Sequence, residues 1–220
     1  MKCRVSAIAL AVTAVISATP AFPANNGLIS QAFSRDSVVV GRAYGDWSAA
    51  WWQWILSIPA TSSPLFDNTV DCKTGQSGPV FFLAGNGGGS SERNCTVPSG
   101  KALFFPVLNQ IFTSFPAPLT LINEMRAANA SVMDSATGML VDLDGRQLND
   151  IPDFRVTSVT FDVTLPDNNL FGIPSGEYGT AADDGYYVML KPLSAGSHTL
   201  HFKGSDSAIS LDVVYHLTQQ

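Results

Sequence analysis

Tyr44-Gly45-Asp46-Trp47-Ser48-Ala49-Ala50-Trp51-Trp52-Gln53-Trp54-Ile55-Leu56-Ser57-Ile58-Pro59 holds all four tryptophans of the chain within eight positions. At 100° per residue, Trp47, Ala49, Trp51, Trp52, Trp54, Ile55, Leu56 and Ile58 cover most of the circle, leaving a polar sector at Gln53 and Ser57 and an isolated Ser48. The pattern predicts a short helix buried on several sides. Asp46 is read as its N-cap, since a carboxylate there accepts from free N–H groups at the positive end of the helix dipole. Pro59 ends the helix by disfavouring the helical region at Ile58. About twelve residues at a rise of about 1.5 Å reach roughly 18 Å, too short for a bilayer, so the helix is either core or docking surface.

The start of the chain has the pattern of a secretory signal, residues 1–24. Lys2 and Arg4 provide the positive end, 5–16 the apolar stretch, and Ala21 or Ala24 the small-residue cleavage position. The chain is therefore expected to be secreted or periplasmic, with 25–220 forming one β-sandwich domain. Cys3 precedes the apolar stretch and leaves with it. Cys72 and Cys95 remain, and an isolated pair in an oxidising compartment reads as one disulfide, contributing on the order of 3 kcal/mol by restricting the unfolded chain. No histidine lies near them in sequence, so no metal site is expected there. Without Lys2 and Arg4, ten basic residues face eighteen acidic ones, a net charge near −8. That balance argues against nucleic acid and anionic membrane surfaces as partners.

Downstream of the tryptophans the apolar period shortens to that of strands. Residues 37–41 read as a strand, 60–77 as loop, and the continuous apolar runs 79–84 and 102–108 as strands buried on both faces. These two runs are expected to pair as an antiparallel ribbon whose connection carries Cys95. The glycines of 85–89 lack the Lys-Ser/Thr of a phosphate loop, so 85–95 reads as a mobile loop tied by the disulfide. Leu121, Met125, Ala128 and Val132 have helical spacing and place a second helix over 118–131. Asp144-Gly145 marks a hairpin turn. Val159, Phe161, Val163 and Leu165 alternate with polar residues, and 186–191, 198–203 and 208–217 follow as a meander. The expected fold is mainly β: an antiparallel β-sandwich, jelly-roll or immunoglobulin-like, with two short helices on its end or one face.

Four stretches resemble a family of uncharacterised secreted microbial proteins: 44–47 with 51–54, 75–85, 95–107 and 192–200. Together they span most of the mature chain. The resemblance brings no activity, substrate or site residue.

For chemistry, Gly75-Gln76-Ser77-Gly78-Pro79 resembles the nucleophile loop of trypsin-like proteases, but no histidine precedes Ser77, so Ser77 reads as a turn serine. His198 and His201, three apart on a strand, point to opposite faces, and His216 lies on the polar face of the last strand. Asp142 and Asp144 could accept Ca²⁺ with Asn149 or Asp150, though a hairpin turn explains them. Asn94 and Asn129 head glycosylation sequons. No cofactor motif is present. Two functions compete. The preferred one is a binding module for a glycan or cell-envelope partner, with Trp47, Trp51, Trp52 and Trp54 as candidate binding residues. The other is a carbohydrate-active hydrolase or lyase using carboxylates near the tryptophans, Glu92 and Asp46 before Asp67 and Asp71. Glu92 and Arg93 together otherwise read as an exposed ion pair. Exposure of the indoles decides between them.

Overall fold

A computed structural model describes residues 31–115 and 121–220. The signal segment 1–24 and positions 118–120 of the second expected helix lie outside the described residues. The elements run α1 (Tyr44–Leu56), β1 (Val80–Phe82), β2 (Gly89–Val97), β3 (Ala102–Thr113), α2 (Ile122–Met133), β4 (Thr137–Leu143), β5 (Arg146–Gln147), β6 (Arg155–Thr157), β7 (Phe161–Leu165), β8 (Gly176–Leu190), β9 (Gly196–Ser205) and β10 (Ser210–Gln219). They make two five-stranded sheets, β1-β3-β8-β6 with β7 also on β8, and β2-β10-β9-β4-β5. The architecture is the mainly β sandwich with two helices. Each sheet is mixed rather than wholly antiparallel, because β1 runs parallel to β3 and β2 parallel to β10.

Alternation along the central strands makes the first sheet an inner layer. Leu103, Phe105 and Val107 of β3 and Tyr186, Val188 and Leu190 of β8 face the second sheet, meeting Phe202, Val213, Tyr215 and Leu217. Phe104 of β3 and Tyr187 and Met189 of β8 face the opposite way, onto Tyr44, Trp47, Trp51 and Ile55 of α1. A sheet covered on both faces needs apolar residues at every position, which is why 79–84 and 102–108 read as unbroken runs.

Five local expectations need correction. The runs 79–84 and 102–108 do pair, but in parallel, Val80 opposite Ala102. Parallel neighbours need a crossover, and the crossover is β2, which leaves the first sheet and joins the second. The stretch 85–95 is therefore loop only to Gly88 and strand thereafter. Residues 37–41 are not a strand: Val39 and Arg42 close a two-residue turn over Val40 (φ 49°) and Gly41 (φ 76°). The 186–217 meander divides as well, with β8 in the first sheet and only the β9–β10 hairpin in the second. Asp46 is not the N-cap of α1. The cap is Ala43, and the Asp46 carboxylate reaches back to accept the Ala43 N–H at 3.1 Å.

Trp47, Trp51 and Trp54 are buried and Trp52 is half-buried. Three indole N–H groups each tie down a different segment: Trp47 donates to Val39 O (3.0 Å), Trp51 to Leu83 O (2.9 Å) and Trp54 to Thr74 O (3.0 Å). Trp47 and Trp54 also pack on Phe82, and Tyr44 edges onto Phe104. On β8, Asp183 and Asp184 point to opposite sides. Asp184 takes a two-pronged contact from Arg155 (3.0 and 2.8 Å), which also holds Asp134 after α2 (2.6 Å). Asp183 is fully buried against α1, accepting from Ser48 Oγ (2.9 Å) and the Tyr187 hydroxyl (2.6 Å).

Replacing Trp51 with alanine removes the largest fully buried side chain and one of these ties. The expected loss is about 3–5 kcal/mol in urea unfolding. Burial pushes the Asp183 carboxyl up to about 6, against the lowering effect of its hydrogen bonds. The native state therefore keeps a proton that the unfolded chain releases near about pH 4. Stability falls as pH rises between those values, by on the order of 3 kcal/mol, and is level above them. Asp183→Asn should flatten that segment of the curve of urea midpoint against pH; an unchanged slope rules the assignment out.

Candidate functional site

The outer face of the second sheet is polar, and its β2 edge carries a trough of about 950 Å³. Strand register builds the floor. Asn94 of β2, His216 of β10 and Thr199 of β9 lie side by side, and Thr96, Thr218 and Ser197 form the next rung. Adjacent strands sit about 4.8 Å apart, so the rungs present hydrogen-bonding groups at that spacing on a rigid backbone. Residues 68–73 make the wall, with Asp71 and Lys73 among its polar groups.

Two inward-pointing residues of β2 hold the wall. Cys95 is bonded to Cys72 as the sequence predicted, with a Cα–Cα distance of 5.8 Å. Arg93, two positions earlier and on the same face, is buried. Its guanidinium donates to Pro64 O (2.5 Å), Asn68 Oδ1 (3.1 Å), Ala84 O and Gly85 O (both 3.0 Å) and the Tyr215 hydroxyl (2.9 Å), and lies over the Tyr215 ring. Its recorded partners are all neutral oxygens. The expected Glu92–Arg93 surface pair is not formed, because successive strand residues face opposite ways. Glu92 points outward and meets His216 Nε2 at 2.7 Å.

The remaining sequence candidates are dispersed. Asp46 serves the helix start, and Asp67 and Asp71 accept the backbone N–H groups of Thr69 and Lys73 in local turns. Asp142 accepts the Gly145 N–H at 2.8 Å within the β4–β5 turn. Ser77 sits on a separate groove of about 440 Å³ lined by Trp47, Trp54 and Phe82, where no histidine or carboxylate among the described residues takes part. Among the described residues no group of three histidine, cysteine or carboxylate side chains is placed to hold a metal ion. His201 pairs with Asp212 at 2.8 Å.

One constellation was not foreseen. His198 Nδ1 lies 2.6 Å from Asp144 Oδ2, and its Nε2 is 3.4 Å from Ser194 Oγ. The order Ser, His, Asp suggests a hydrolytic triad, yet Nε2 also faces the Ser194 carbonyl at 3.0 Å. A carbonyl accepts only from a protonated nitrogen, so with Nδ1 on a carboxylate the ring carries both protons. It cannot serve as base to Ser194; it clamps the β4–β5 turn to the loop before β9. Gln76 was also missed. Its amide exchanges two hydrogen bonds with the Phe82 backbone (2.7 and 3.0 Å), filling the free edge of β1 as a strand would. For Arg93 the signal is the shared parity of Ser91, Arg93, Cys95 and Val97, which becomes legible only when 89–97 is a strand rather than a loop.

No protein-family model matches this chain, and no curated protein does. The solved structure titled "Solution Structure of Amebosin" aligns with 65% of this chain and 100% of its own at 10% identity, with a TM-score of 0.24. That likeness carries no argument about fold or function.

Burial disfavours the charged form of His198, but Asp144 and the Ser194 carbonyl outweigh it and the ring is raised above its ordinary value. The clamp therefore contributes fully below the unfolded value of about 6.5 and is lost as pH rises through the higher folded value. Asp144→Asn should remove that alkaline-side loss, seen as NMR titration of His198 returning to or below its ordinary midpoint.

Proposed function

We propose that the protein is a secreted or periplasmic binding module whose trough takes a hydroxyl-rich ligand of the glycan class. The observation behind this reading is the pair of rungs, Asn94-His216-Thr199 and Thr96-Thr218-Ser197, overhung by a wall fixed through Cys72–Cys95 and Arg93. Six donor-acceptor side chains on three strands offer repeated hydrogen bonds at strand spacing, with little side-chain entropy left to lose. The charged lining is mixed, Lys73, Arg93 and His198 with Asp71 and Glu92, which suits a neutral ligand. Among the described residues no Phe, Trp or Tyr lines the trough, so recognition runs through ligand hydroxyls rather than stacking. The disulfide accords with an oxidising compartment, and among the described residues no helix is long and apolar enough to cross a membrane.

The hydrolase reading has less support. It placed acids beside exposed tryptophans, whereas the tryptophans pack on the first sheet and Glu92 lies on the second, bonded to His216.

Titrating soluble cell-wall and plant oligosaccharides into isotopically labelled protein tests the proposal. Binding should shift the backbone signals of Asn94, Thr199 and Thr218 together. Thr218→Val keeps shape and removes one hydroxyl, weakening binding by roughly 2- to 10-fold, the value of one net hydrogen bond. Glycans that bind without touching those signals, or that leave the whole spectrum unchanged, refute the assignment.

A further inference from the structure

Away from the trough, the turn at 39–42 borders the groove of about 440 Å³ against α1. The turn is closed by Val39 N–H to Arg42 O (2.9 Å) and Arg42 N–H to Val39 O (3.1 Å), with both central residues at positive φ. Such turns favour Asn-Gly, and a β-branched residue in that conformation is a steric outlier. Here Val40 occupies it at φ 49° with 61% of its surface exposed, so little of the chain's own packing compensates the strain. Strain held without internal compensation points to an external contact.

The groove says what that contact is. Trp47, Trp54, Phe82, Pro79 and Val40 make apolar walls, and both indole N–H groups are already committed to backbone carbonyls. At one side the Arg42 guanidinium stands 5.0 Å over the Trp47 ring; it is exposed, and among the described residues no carboxylate pairs with it. Among the described residues the lining holds no Asp or Glu. A cation free to fork onto an anion, set beside apolar walls, selects an anionic ligand with an apolar ring.

We infer that this groove binds small aryl carboxylates, the carboxylate on Arg42 and the ring against Val40, Pro79 and Phe82. The site is independent of the trough.

The probe is 3-phenylpropionate, with the uncharged 3-phenylpropan-1-ol as control, followed by the indole N–H signals of Trp47 and Trp54. The acid should shift both signals and bind at least about tenfold more tightly than the alcohol, the value of a charge-assisted contact. Arg42→Gln, an exposed change, should erase that preference. Val40→Asn restores the favoured turn and should raise Tm by about 2–4 °C while weakening the acid. That opposition of stability and affinity is not expected of a merely structural turn. No indole shift with the acid, equal binding of acid and alcohol, a preference that survives Arg42→Gln, or full affinity in Val40→Asn would each overturn the inference.

Discussion

The first sheet is buried on both sides, and the rest of the molecule follows from that constraint. The second sheet covers one face, and α1 covers the other with Trp47, Trp51 and Ile55 on Phe82, Phe104 and Tyr187. A helix of thirteen residues has a narrow footprint. Covering a sheet with it demands large side chains, and indoles bury more apolar area per residue than any other type. Burying an indole brings its N–H inside, where an unpaired donor costs about 1–3 kcal/mol. Three of the four N–H groups meet this cost by capturing carbonyls of segments that have no regular structure of their own, and α1 thereby organises residues 39–83 as well as the core.

The same demand explains the polar residues found inside. Arg93 lies in the apolar interior with neutral acceptors on its guanidinium, so its charge is spread over four oxygens of the backbone and amide type and one hydroxyl. The four amide-type acceptors belong to segments that would otherwise be loose, from Pro64 to Gly85, and the hydroxyl of Tyr215 ties them to β10. Asp183, and Asp184 with Arg155, do corresponding work at the middle of β8, linking α1, β6 and the end of α2 to one strand. Buried charge here is a device for holding irregular chain in place, and its desolvation penalty is partly returned as local order.

With one sheet sealed between two layers, among the described residues the second sheet alone has a free face. Side chains there are under no pressure to be apolar, and they alternate strictly with the core set along β10: Leu211, Val213, Tyr215 and Leu217 inward, Asp212, His216 and Thr218 outward. A ligand-binding surface on this fold falls where the layers leave polar strand faces uncovered and a disulfide can hold a rim beside them.

Periodicity decides what a residue's nearest neighbours along the chain allow, and so the sequence alone determined the buried tryptophan helix, the two unbroken apolar runs, the Asp144-Gly145 turn, the alternation of the last strands and the Cys72–Cys95 bond. Each depends on local geometry or on there being one available partner. Pairing direction, sheet membership and site composition depend on residues far apart in sequence. The runs 79–84 and 102–108 pair with equal apolar burial in either direction, and only the placement of β2 beside β10 made them parallel. Glu92 and Arg93 looked like a surface pair until β2 became a strand with an inside and an outside. Asn94, Thr199 and Thr218 carry no chemical signature singly, and tertiary register alone brought them together, because hydrogen-bonding faces are assembled across strands while sequence patterns run along them.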